Sequence, residues 1–491
     1  MITKRPGSSV TQLGAPIFRR LSEEQLQAIH FASLEIAERL GMRFYDEEAL
    51  SLFKKAGVNI SDGNLVKIPS HLMEWGIRTA PKRIVLCDRN RRVAMMLEGR
   101  KSYFGTGSDC LNIIDHRNGE RRLAVLSDVE EGIRVCDALL NVDFVMSMFL
   151  PSDRHPNIYD RYQMEAMLNN TTKPVVFTPP DMAGCRDTVE MAEIVAGGEE
   201  ALRLNPFICA YINFSSYVRH NPESLQRMLY MAGKGLPFIY VSSIALRGVM
   251  TPVTVAGHLA LRNASQLAGL LLAQLKREGA PVIAFRTGGG GFNMKTMTSM
   301  YSSPDARGFG GDLAHYYGLP TFGTSGCSDS KLPDEQAAME GSLTLLIDAL
   351  EGSNLVHDLG YLESGRTGSL EMLVMCDEAL GWIKRFMEPV MVDDETLAMD
   401  TIVEANGDFI ATQHTVRHYR EDWTPSISDR GNYESWNAGG GKNFRECARD
   451  KVAEILGSHR SPELPPDLCR RLSQITRRAE ELVTASTRSD D

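Results

Sequence analysis

The feature that most constrains this chain is a repeat in kind rather than in identity. From Lys101 onward, short apolar runs of strand length break into Gly, Ser, Asp or Arg and hand over to segments with helical periodicity. Eight candidate strands can be placed: SYFGTG from 102, VDFVMSMFLP from 142, KPVVFTPPD from 173, NPFICAYINFSS from 205, LPFIYVSSI from 236, PVIAFRTGG from 281, LPTFGTSG from 319 and NLVHDLGYL from 354. Between and after them the periodicity predicts helices at 127–140, 159–170, 185–201, 222–234, 252–277, 304–318, 333–352 and 368–388. Several open on a cap or a proline (Ser127-Asp128, Asn221-Pro222, Thr251-Pro252, Ser303-Pro304), as helices entered from a loop do. Strand, loop, helix is the order that builds a parallel sheet, and eight is the count at which such a sheet closes. The expected fold class is therefore α/β, a (β/α)8 TIM barrel over 101–388, with an open doubly wound sheet as the alternative topology.

The flanks read differently. Residues 1–100 are expected to form an N-terminal helical and hairpin cap. In it SEEQLQAIHFASLEIAERLG starts on an N-cap Ser22 and stops at Gly41, a second helix runs from about Glu47 to Ala56, and RIVLCDRNRRVAMMLEG turns at Asp88 to Arg91. Residues 389–491 are expected to form a C-terminal helical extension. Its middle, HTVRHYREDWTPSISDRGNYESWNAGGG, is rich in aromatics and turn formers and suits wrapping around something better than forming a core.

Composition excludes several functions. A net charge of -10 without a concentrated basic arm argues against nucleic acid as a partner; the clusters Arg89–Arg92 and Arg117–Arg122 are short. Nine cysteines without a C-x-x-C pair indicate neither a disulfide framework nor a thiolate zinc site. With no signal-like start and no apolar run of membrane-spanning length, a soluble cytoplasmic protein without a membrane partner is expected.

In parallel sheets ligands bind at the carboxyl ends of the strands, where the loops converge. Those ends carry Tyr103 and Phe104, Phe149, Phe177, Tyr211 and Phe214, Tyr240, Phe285 and Arg286, Phe322, then His357 and Tyr361. Aromatic faces attract quaternary ammonium groups, which cannot donate hydrogen bonds. Strand side chains alternate, so two to four of these are expected in a pocket and the rest in the packing. Gly288–Gly291 can present N–H groups to an anion or let a flat group approach closely; it is neither a Walker A loop nor a dinucleotide fingerprint. Asp329, Lys331, Asp334 and Gln336 crowd the loop after the seventh strand, where Asp334 suits a helix cap, and His357 stands beside Asp358. His414 and His418 have i, i+4 spacing, but no glutamate lies between them as in H-E-x-x-H and the sequence offers no evident third ligand, so no metal site is assigned.

Several stretches together resemble a known family. RTGGGGFNMKTMTSMYSSPD, GTSGCSDSKLPDEQAAMEG, LVHDLGYLESGRTGSLEMLVMCDE, HTVRHYREDWTPSISDR with Trp436, and the earlier YFGTGSDCLNIIDHRNGERR look like the trimethylamine methyltransferase superfamily. The resemblance covers most of the chain. It implies a barrel that moves a methyl group from an amine to the Co(I) of a separate corrinoid protein, with no tightly bound cofactor of its own. The trimethylamine enzymes carry pyrrolysine near the end of a late strand, where Cys327–Lys331 here are ordinary residues. That points to the non-pyrrolysine branch, similar to glycine betaine methyltransferases, with carnitine and proline betaine as neighbouring substrates.

On this resemblance His357 and Asp329 are the expected catalytic residues. Tyr103, Phe104, Phe177, Tyr211, Tyr240, Phe285, Arg286, His357 and Tyr361 are expected to bind the quaternary amine, and Gly288, Gly289, Gly290, Gly291, Asn293 and Gly326 to face the corrinoid (cobalamin) of the cognate partner protein. A homo-oligomer is expected. Two other functions fit the residues: a barrel lyase or isomerase using Asp329, Lys331 and His357, and a betaine-binding protein without catalysis.

Overall fold

The computed structural model describes residues 18–242, 246–286 and 291–487. Ser22 opens the Glu23–Glu35 helix through a reciprocal cap: its hydroxyl accepts from Gln25 N (3.3 Å) and the Gln25 side chain accepts from Ser22 N (2.9 Å). A π-turn over Ile36–Leu40 ends the helix at Gly41, whose φ of 74° suits glycine. Leu26 and Ile29 seat it against Leu259, Ala260 and Leu313 of two outer helices.

Two four-stranded, wholly parallel sheets carry the alternation. One orders Val175–Phe177, Ile208–Phe214, Phe238–Ser242 and Val282–Ile283; the other orders Phe285–Arg286, Thr321–Thr324, Leu355–His357 and Tyr103–Phe104. Residues 142–151 make only isolated parallel bridges, Gly105 to Phe144, Val145 to Val175 and Cys110 to Phe149. The Asp143 carboxylate explains why this segment is not a regular strand. It accepts from Phe104 N (2.9 Å) in place of a ladder carbonyl, and Met148 then turns the chain at φ 61°. The chain is thus mixed α/β with the expected strand and helix order. The predicted 185–201 helix divides into Met182–Ala196 and Glu199–Leu204 because Gly197 and Gly198 adopt φ 87° and 131°.

Alternation sorts the strand side chains into two cores. Tyr103, Phe144, Met146, Val176, Cys209, Tyr211, Ile239, Val241, Ile283, Phe322 and Leu355 form an interior cluster together with Ile84, Leu86, Met95 and Leu97 of an N-terminal antiparallel hairpin, Ile84–Cys87 with Val93–Leu97. The intervening residues, among them Phe104, Val175, Phe177, Ile212 and Tyr240, pack outward with the helices. The hairpin sits at the amino ends of the strands. Cys87 N donates to Pro206 O (2.7 Å), Arg89 N to Thr172 O (2.8 Å) and Met96 N to the Tyr103 hydroxyl (3.0 Å), and Asn354 Nδ2 donates to Gly99 O (3.0 Å). Closing that end leaves the carboxyl ends as the place for a site.

After the Leu370–Met387 helix the character changes. Short helices at Asp394–Leu397, Met399–Ala405, Gln413–His418 and Tyr433–Ala438 follow, and no residue from 388 to 447 is buried. The Phe444–Ser458 helix then returns to the body, where Arg445 and Arg449 reach the fully buried Glu371 (3.4 and 3.1 Å). The last helix, Pro466–Thr487, lies along Tyr159–Asn170 and Met182–Ala196, with Arg478 paired to Asp187 and Glu190 (2.8 Å each). Among the described residues no helix is long and apolar enough to cross a membrane.

Candidate functional site

Three aromatic rings converge in the interior toward the carboxyl ends. Phe322 and His357 lie 4.1 Å apart between centroids, Tyr211 and Phe322 4.7 Å, and Tyr211 and His357 5.5 Å in an edge-on arrangement. They come from three strands because residues i and i+2 of each strand share the inner face. His357 Nδ1 donates to Gly323 O at 2.5 Å, which turns Nε2 toward Asp358 Oδ1 at 3.3 Å. Gly323 O can only accept, so Nδ1 carries the proton of this bond. Asp358 is buried and holds a φ of 81°, a strained conformation that aims its carboxylate back at the ring.

The loop after Tyr103–Phe104 is built around this group. Gly107 approaches so closely that a Cβ would overlap the Asp358 carboxylate and the Tyr361 hydroxyl. That hydroxyl accepts from Asp109 N (2.9 Å) and lies within reach of Asp109 Oδ1 (3.1 Å) and Met148 O (3.3 Å). Burial pushes the Tyr361 phenol well up, and likewise the Cys110 and Cys327 thiols, so these groups stay protonated. Neither cysteine is a poised thiolate.

The remaining expected site residues divide clearly. Tyr103 lies in the interior but next to the hairpin, at the closed end. Phe104, Phe177 and Tyr240 face outward; Tyr240 bonds His220 Nδ1 (2.9 Å). Phe285 also packs outward, against Tyr317 at 5.5 Å, since Ala284 interrupts its strand and breaks the alternation. Arg286 extends the second sheet beside Phe322, and its side chain lies outside the described residues, as do Gly288, Gly289 and Gly290. Gly291 and Asn293 form one arm of a small hairpin with Thr298–Met300, where the Asn293 side chain accepts from Lys295 N and Thr296 N to make the turn. Gly326 is packed: with φ 71°, a Cβ there would overlap Leu359 and come 3.3 Å from Cys376 Sγ.

Asp329 organises loops. Its carboxylate accepts from Tyr301 N (2.9 Å), Ser302 N (3.3 Å), Ser302 Oγ (2.9 Å) and Ser364 Oγ (2.8 Å), which leaves little capacity for proton transfer. Asp334 caps the Glu335–Glu351 helix, accepting from Ala337 N at 3.0 Å. Lys331 is exposed and donates to Asp329 O (2.7 Å), so it lacks the buried setting an acid-base lysine of a lyase requires.

Sequence reasoning missed two residues here. The guanidinium of Arg307, 2 % exposed, donates to Tyr301 O (2.6 Å) and Thr324 O and stands 3.6 Å from Asp348, fixing the seventh strand's end. Asn213, two residues beyond Tyr211 on the inner face, has a buried Oδ1 with no hydrogen-bond partner among the described residues. The period-two spacing from Tyr211 was the signal for Asn213. No local pattern marks Arg307.

Away from the strand ends, a cleft of about 200 Å3 opens between the Glu335–Glu351 and Leu370–Met387 helices and the C-terminal extension, lined by Ala338, Met372, Cys376, Trp382, Trp423 and Arg430 among others. The aromatic C-terminal stretch therefore lies against outer helices. Trp423 rests over Gly381, and Glu378 accepts from Ser426, Ile427 and Ser428 N.

The chain is a parallel α/β protein that gathers aromatic rings near its strand ends, with two buried thiols there held protonated. The chain belongs to the trimethylamine methyltransferase (MTTB) family, whose model matches residues 4–483. It is 33% identical over 466 residues to the trimethylamine methyltransferase MttB of Desulfitobacterium hafniense strain DSM 10664 / DCB-2, covering 94% of both chains. It is 30% identical to the Methanosarcina barkeri enzyme of that name (93% and 94% covered) and 29% identical to the glycine betaine methyltransferase of D. hafniense strain Y51 (95% and 98%). The crystal structure of the monomethylamine methyltransferase MtmB of M. barkeri aligns over 91% of this chain and 90% of its own at a TM-score of 0.47 and 10% identity.

Proposed function

We propose that the protein transfers a methyl group from a quaternary amine, glycine betaine first among them, to the Co(I) of a corrinoid carried by a partner protein. The reading extends the methyltransferase family by one step. The observation that carries it is the buried trio of Tyr211, Phe322 and His357 close to the strand ends. Aromatic faces stabilise an alkylated nitrogen that has no hydrogen to donate. In this reading His357 and Arg286, two strands apart in one sheet, are the residues for the substrate carboxylate.

A quaternary ammonium needs no protonation to leave: the C–N bond breaks, its electron pair stays on the departing tertiary amine, and the methyl carbon passes to cobalt. The acceptor supplies the nucleophile, so the chain's own task is to hold one N-methyl in line and exclude water. Asp329, Arg307 and Tyr361 are positioning residues in this reading. Met294 and Met297, exposed on the hairpin tip, and Val249 and Val253 on the adjoining loop form an apolar rim suited to a flat corrin face; the two loops come close at Gly248, where a Cβ would stand 3.3 Å from Met294 and 3.5 Å from Val253. The strand pairings and bridges support a single closed ring of eight segments, a (β/α)8 barrel over 101–388 flanked by an N-terminal cap and a C-terminal extension.

The test is anaerobic incubation with glycine betaine and cob(I)alamin, or the cognate corrinoid protein. Loss of the cob(I)alamin spectrum with formation of dimethylglycine is expected. Unchanged spectra across glycine betaine, carnitine and proline betaine would remove the reading.

A further inference from the structure

The sequence offers a histidine pair without a third ligand; the fold supplies one. His414 and His418 lie one turn apart on the Gln413–His418 helix, their rings 4.4 Å apart, and Glu395 reaches them from the separate Asp394–Leu397 helix. One ligand atom from each residue lies within 4.8 Å of the others. His418 Nε2 is 3.2 Å from Glu395 Oε1, close to the roughly 3.4 Å edge of a tetrahedron around zinc. Glu421 Oε1 holds His418 Nδ1 at 2.8 Å, the outer carboxylate that fixes a metal-binding imidazole's tautomer and leaves Nε2 free to ligate. His414 Nε2 is buried with no hydrogen-bond partner among the described residues. Arg417 pairs with Glu395 (2.6 Å) and would have to share or release it.

We infer that Glu395, His414 and His418 form a three-ligand site for a zinc-class divalent ion, completed by water. A second observation gives the site a purpose. From 388 to 447 no residue is buried, so this extension lacks the core that normally holds short helices in place. Its apolar side chains, such as Val403, Ile410 and Val416, are exposed. An ion joining the two helices would staple the extension and fix that apolar face as a surface. The inference does not rest on the proposed methyl transfer.

The experiment uses the full chain without a histidine tag, stripped by chelator and titrated with zinc chloride by calorimetry, with cobalt(II) absorbance as a second readout. One tetrahedral site per chain is expected, with slower proteolysis between 388 and 442 when zinc is bound. His414→Ala and His418→Ala should weaken binding by on the order of 100-fold or more, and Glu421→Gln, which leaves all three ligands, by about 10- to 100-fold. All these side chains lie outside the core, so the main melting transition should not move. Absence of a one-to-one site in the stripped protein, or equal affinity in wild type and both histidine variants, would overturn the inference.

Discussion

Replacing Tyr211 with leucine separates an aromatic cation site from ordinary core packing. The Tyr211 ring meets Phe322 at 4.7 Å and His357 at 5.5 Å, whereas Tyr240, on the next strand, points to the opposite side and bonds His220. A cation over one ring gains about 0.5–2 kcal/mol, so Tyr211→Leu should weaken glycine betaine by roughly 2- to 30-fold. Packing loss alone would weaken any ligand of that shape. Calorimetry should therefore compare betaine with 3,3-dimethylbutyrate, which replaces the trimethylammonium with an uncharged tert-butyl group. Wild type should prefer betaine, and Tyr211→Leu should collapse that preference. Tyr240→Phe should cost about 1–3 kcal/mol of stability through the lost hydrogen bond yet keep the preference intact. If Tyr211→Leu weakens both ligands equally, or Tyr240→Phe erases the preference as well, the assignment of the inner rings to the cation is wrong.

Asp329→Ala should destabilise by about 1–3 kcal/mol, because four donors lose their acceptor, and should speed hydrogen exchange at Tyr301 and Ser302; an acid-base role would instead change the pH-rate profile. Gly326→Ala combines a left-handed backbone with overlap at Leu359 and should cost about 2–5 kcal/mol in chemical denaturation; wild-type stability would show that the loop yields easily. Burial lowers His220 to about 3 in the folded chain, below its ordinary 6.5. The unfolded chain therefore binds the proton first, and the stability from keeping His220 neutral is complete above pH 6.5 and lost as pH falls toward 3. Between pH 6 and 4, wild type should lose about 1.4 kcal/mol per pH unit more than His220→Asn, and parallel slopes would contradict this.

How much of this was legible in the sequence follows from the range of each signal. The strand-loop-helix alternation and the capped helix starts are local, and they reproduced the order of elements and, at Ser22 and Asp334, the cap itself. Which face each strand-end aromatic takes depends on register. Neighbours such as Tyr103 and Phe104 therefore separated into different cores, and Phe285 escaped the alternation because Ala284 interrupts its strand. Asp329 was chosen for its chemistry, but its role was decided by Tyr301, Ser302 and Ser364, brought in by two other loops. Glu395 lies 19 positions before His414, so no spacing rule could have joined it to the histidine pair. The same reasoning favours the trio over the longer roster of aromatics as the place for a cation. Tyr211, Phe322 and His357 converge in the interior through contacts between different strands, whereas Phe214 and Tyr240 meet at 4.9 Å in the outer core, and a pocket needs inward convergence that no single strand's sequence encodes.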